Sequence, residues 1–88
     1  MHIISGFHIR QILDEVIAVP SGKVSKVFSG IVSLNEIGRF LFEALQSEQT
    51  EDSLVCAVLE EYDIDPETAR ADVTEFLEHL RSAGLLEE

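Results

Sequence analysis

The chain has 88 residues, enough for one domain that buries roughly 60–65% of its unfolded surface but not for a second core or a roomy enclosed active site. Apolar residues make up 45% of it and the mean hydropathy is +0.15, which excludes a disordered polypeptide. Six basic and seventeen acidic residues give 6 − 17 = −11, which argues against a nucleic-acid binder and against docking on an anionic membrane, both of which need a basic face.

The front of the chain reads as strands. Phe7–Ile12 mixes apolar and polar residues with strand-like composition, and Glu15–Pro20 is a β-branched run stopped by proline. Asp14-Glu15 is the expected reversal between them, and Ser21-Gly22 marks a second turn. Val24–Leu34 is again β-branched and aromatic, interrupted by Ser29-Gly30, which suggests a bulge or small turn. Short connections favour an antiparallel meander of three strands within residues 5–34.

Three helices follow, at about 35–47, 51–63 and 66–83. Asn35 is a suitable N-cap, and Ile37, Phe40, Leu41, Ala44 and Leu45 fall on one face behind it. Thr50 caps the second, whose stripe is Leu54, Val55, Val58, Leu59 and Tyr62. Asp65-Pro66-Glu67 is the strongest start signal, because proline at the first helical position lacks an N–H that would go unused anyway. Ala69, Val73, Phe76, Leu77 and Leu80 form the apolar face of the third helix. Gly84 ends it, and Leu85-Leu86 folds back as a closing contact. The expected fold is α+β and winged-helix-like: a three-stranded antiparallel sheet followed by a three-helix bundle, in a single domain over residues 1–88.

Charge is unevenly distributed. Residues 1–34 sum to +1 and residues 35–88 to −12, with Arg39, Arg70 and Arg81 the only cations in the second part. The third helix itself carries four acidic residues and two arginines over 66–83, a poor fit to a DNA groove.

Catalytic and metal chemistry find no footing. His2, His8 and His79 are scattered, and Cys56 is the single cysteine, so no metal-ligand spacing exists. No nucleophile–base constellation or phosphate-binding glycine loop is present. No catalytic residue and no cofactor are expected. A lone cysteine fits a reducing cytoplasm. The opening MHIISGFHIR lacks the basic and long apolar regions of a signal peptide, and no run approaches the ~20 apolar residues of a membrane span.

Gly30-Ile31-Val32-Ser33-Leu34-Asn35-Glu36-Ile37-Gly38 resembles the "LNETG" signature of the PqqD-like family. Phe42 and Leu45, then Thr50 and Leu54, fit the same pattern. Asp72-Val73, Phe76-Leu77, Leu80 and Gly84-Leu85-Leu86 are similar to its closing "DV..FL..L...GLL". The family often carries tryptophan near Phe42, and this chain has none. The Ser21–Ser29 segment is also longer than in the shortest members.

The resemblance implies a recognition element for ribosomally made, enzymatically modified peptides. Such a module is a non-catalytic adaptor that holds the leader segment of a precursor peptide. It presents the leader to a modifying enzyme, often a radical S-adenosylmethionine protein, with pyrroloquinoline quinone biosynthesis as one such pathway. It also implies that the leader adds as a strand beside the third strand, in a groove closed by the third helix, and that leaders are commonly amphipathic and acidic.

The physics of strand addition agrees. An edge strand offers unpaired N–H and C=O groups to a guest. The candidate edge is Phe28–Leu34, with Phe28, Ile31, Val32, Ser33 and Leu34 as contacts. On the third helix Arg70, Thr74, Leu77 and Arg81 follow one flank beside the core residue Val73. With Lys26, this flank would steer an acidic leader. The competing reading of the arginines is pairing with nearby glutamates. Two other functions compete: a winged-helix transcription regulator, and a module that forms homodimers through the same edge or by swapping.

Overall fold

The computed structural model describes residues 1–4, 6–20 and 32–88. Strands β2 (Phe7–Ile12) and β3 (Glu15–Pro20) have the bounds expected from composition. They pair antiparallel from Phe7↔Pro20 to Ile12↔Glu15. Leu13 and Asp14 alone therefore make the reversal, one residue earlier than expected, and Glu15 joins the strand. A two-residue hairpin needs positive φ at its first loop position. Leu13 supplies it at φ 56° and is 89% exposed, a conformation that costs a side-chain-bearing residue about 1–2 kcal/mol.

Strand β4 (Val32–Leu34) pairs antiparallel with β3 through Val16↔Leu34, Ile17↔Ser33 and Ala18↔Val32. The sheet order is β2-β3-β4, which is the expected meander. The remainder of the expected third-strand region, including Lys26, Phe28 and Ile31, lies outside the described residues.

The helices are α1 (Glu36–Ala44), α2 (Glu51–Glu61) and α3 (Pro66–Ser82). Each starts where a side chain satisfies an orphan backbone donor. Asn35 accepts from the Gly38 N–H at 2.7 Å. Thr50 and Ser53 form a reciprocal box, each side chain accepting from the other's N–H. Asp65 accepts from the Thr68 N–H and the Thr68 hydroxyl, both at 2.9 Å.

Those hydrogen bonds, led by the Thr68 N–H, hold the Asp65 carboxyl below its ordinary pKa. A depressed folded-state pKa adds stability that is present above the unfolded-state value, near 3.9, and disappears as pH falls through the folded one. Asp65→Asn keeps an acceptor at the cap but cannot titrate. Its melting temperature is expected to fall less steeply than that of the parent as pH drops below about 4. Parallel acid limbs in thermal melts of the two proteins would exclude this linkage.

Two further strands escaped the sequence reading. Here β1 (His2–Ile3) and β5 (Leu86–Glu87) form an antiparallel ladder, His2↔Glu87 and Ile3↔Leu86. Gly84, at φ 75°, turns the chain out of α3, so that Leu85 is buried and Leu86 enters β5. The Ile3 N–H donates to Leu45 O and the Ile4 N–H to Leu85 O, each at 2.9 Å.

One core joins the layers. Ala18 and Leu34 from the sheet meet Leu41, Phe42 and Leu45 of α1 and its cap. Leu54 and Val58 of α2, and Ala69, Val73, Leu77 and Leu80 of α3, complete it. The Phe7 ring meets Phe42 edge-on, centroids 6.0 Å apart.

Candidate functional site

Strand β4 ends the sheet. Among the described residues no strand pairs with its outer side. Successive residues of an antiparallel strand direct their N–H and C=O groups alternately to either side, so part of the β4 backbone faces outward unpaired.

A cleft of about 280 Å³ opens at this strand. One wall comes from β4 and the start of α1: Ser33, Leu34, Asn35, Ile37, Gly38 and Leu41. The other comes from α3: Asp72, Glu75, Phe76 and His79. The local sequence explains the shape. Leu34 turns inward and is buried, whereas Ser33 is exposed. Asn35 then caps α1, and Gly38 in its first turn lets α3 approach. A Cβ at Gly38 would stand 3.0 Å from Asn35 Oδ1, 3.4 Å from Phe76 Cε1 and 3.7 Å from a Leu34 methyl. A larger residue there would press on the Asn35 cap and on the Phe76 ring, so glycine keeps this corner of the cleft uncrowded. The junction that resembles the family signature builds this cleft.

The α3 residues expected at the site do not line this cleft. Val73 and Leu77 are fully buried in the core. The Arg70 guanidinium reaches Asp52 at 2.8 Å and Glu51 at 3.3 Å, and the Thr74 hydroxyl donates to Glu51 at 3.1 Å. Arg81 holds Glu88 at 2.8 Å. Donation of a hydrogen bond to Asp52 raises the Arg70 pKa, and donation to Glu88 raises the Arg81 pKa. This flank faces α2 and the C-terminal strand, because the short connection Asp63–Asp65 folds α3 back along α2 and its acidic first turn. The opposite flank, Asp72, Phe76 and His79, faces β4. The sequence reading placed Phe76 at the core centre; the ring is instead half-buried and forms the cleft wall. Phe76 sits at the margin of the apolar stripe, which was the available sign that it serves two surfaces.

Of the expected strand contacts, Val32, Ser33 and Leu34 form β4, and Ser33 and Leu34 line the cleft. Cys56 is exposed on α2. Among the described residues no three His, Cys, Asp or Glu side chains gather to hold a metal ion. No described helix is long and apolar enough to cross a membrane.

A three-stranded sheet left open on one side, with a cleft between that side and the last helix, defines a winged-helix-like α+β domain built around a sheet-edge groove. The family profile of coenzyme PQQ synthesis protein D (PqqD) matches residues 11–86, a span that holds β4, α1 and both cleft walls. The chain belongs to the PqqD family. Among solved structures, TbiB1 in complex with the TbiA(beta) leader peptide is similar over 99% of this chain and 95% of that one, with 25% identity and a TM-score of 0.73. No curated protein gave a match.

Proposed function

We propose that this protein is a non-catalytic adaptor that takes the leader segment of a ribosomally made precursor peptide as an added strand on β4 and presents it to a modifying enzyme. The observation that carries this reading is that, among the described residues, no strand covers the outer side of β4, which borders the cleft walled by α3. Main-chain pairing would provide affinity, and the cleft would select side chains. The similarity to a leader-bound complex supports the same assignment. A strand-accepting edge needs no reacting group, so the adaptor leaves the chemistry to its partner. In this reading the partner is a radical S-adenosylmethionine enzyme acting in the cytoplasm, with pyrroloquinoline quinone synthesis as one pathway.

The test is a titration of the isotope-labelled protein with synthetic leader segments of ribosomally made precursor peptides, followed by amide NMR. Shifts should concentrate at Val32–Leu34 and Asp72–His79. The Glu51–Arg70 surface should stay unmoved. Shifts confined to that second surface, or none at all, would overturn the reading.

A further inference from the structure

The α3 wall of the cleft carries two carboxylates, Asp72 and Glu75, with the His79 imidazole on the same wall. Asp72 is half-buried and Glu75 exposed, one helical turn apart and both on the N-terminal side of Phe76 in the helix. Among the described residues neither makes an ion pair or hydrogen bond. The helical cations are all engaged elsewhere: Arg39 with Glu43, Arg70 with Glu51 and Asp52, and Arg81 with Glu88. The cleft's other wall brings no positive group, since Ser33, Asn35 and Ile37 are uncharged. An acidic leader, the expectation drawn from Arg70 and Arg81, would lie against two carboxylates that no described cation compensates, in a molecule of net charge −11.

We infer that the groove selects a peptide segment bearing lysine or arginine beside an apolar anchor: the anchor enters the floor formed by Leu34, Gly38, Leu41 and Phe76, and the cation meets Asp72 and Glu75. This inference rests on the peptide-binding reading and names the class of guest. Its physical basis is that a cation bound here gains charge-assisted hydrogen bonds to carboxylates that have no ion-pair partner among the described residues. Partial burial of Asp72 lowers the local dielectric and strengthens the attraction. An acidic side chain at the same place is rejected by like charge, which serves selectivity as much as affinity does.

The experiment is panning of a displayed random dodecapeptide library against the full chain, with two variants in parallel. Asp72→Asn/Glu75→Gln neutralises the cleft wall at nearly constant shape. Glu60→Gln/Glu61→Gln removes the same charge from exposed positions on α2 that do not line the cleft. Circular-dichroism melts establish that both are folded. The expected result is enrichment of peptides with Lys or Arg next to a large apolar residue by the parent and by the α2 variant. The cleft variant should lose that basic preference and bind a synthetic copy of the best parent-selected peptide about tenfold more weakly.

Peptides that shift the β4 and Asp72–His79 amides but show no basic preference would overturn the inference and leave the peptide-binding reading standing. So would an equal loss of preference in both variants, which would mark a general effect of net charge. Failure of the parent to enrich any peptide that shifts those amides would overturn both.

Discussion

Proline at one of two adjacent positions in β4 is expected to weaken leader binding by about tenfold or more while leaving the fold in place, and proline at the other to destabilise the fold. Val32 and Ser33 are consecutive, so their N–H groups face opposite sides of the strand. One N–H belongs to the ladder with β3 and the other faces the groove. Proline deletes the donor and places its ring on that side, which a sheet tolerates only on an open edge. The outward-facing substitution removes one guest hydrogen bond, worth about 0.5–1.5 kcal/mol, and adds a steric block. Affinity should fall by about tenfold or more, with the melting temperature near that of the parent. The inward-facing substitution should lower the melting temperature instead. Calorimetric titration and thermal melts of Val32→Pro and Ser33→Pro separate the two effects. Retention of parental affinity by both folded variants would show that the guest does not pair with β4.

Phe42→Ala should produce the largest loss of stability. Phe42 is 1% exposed and packs edge-on against Phe7. Truncating a buried phenylalanine costs about 3–5 kcal/mol through lost transfer energy and a residual cavity. A domain of 88 residues has a total stability of about 4–13 kcal/mol, so this single change removes a large share of it. At this size 1 kcal/mol corresponds to about 4–8 °C, and the melting temperature should fall by at least about 12 °C. Phe42→Leu, which keeps most of the volume, should fall much less. A small shift for the alanine variant would place the ring outside the central packing.

The sequence was informative where local chemistry decides structure. Asp65-Pro66 and Gly84 bracket α3 because a cap, a proline without a needed donor and a left-handed glycine act within one turn of the chain. Strands β2 and β3 were legible from six residues each of suitable composition. Two-residue strands carry no periodicity, so β1 and β5 had no local sign.

The groove was half legible. The strand wall follows from the Leu34–Gly38 junction. On α3, however, periodicity defines a buried stripe with a flank on each side and does not say which neighbour covers which flank. Arg70 and Arg81 drew attention as rare cations. In a chain with nearly three acids per base, their chemistry favoured carboxylate partners on the same molecule, and α2 and the C-terminal segment supplied them. The flank left facing β4 therefore has acids and an imidazole but no cation.

The β1–β5 ladder has a mechanical consequence for the groove. It joins residues 2–3 to residues 86–87, a long-range closure whose entropic cost is met only after the intervening layers are in place. It also tethers the outgoing end of α3, three residues beyond which Leu85 is held by Ile4. The β1–β5 ladder thus anchors one jaw of the cleft to the α1 end of the core, through Ile3 and Leu85.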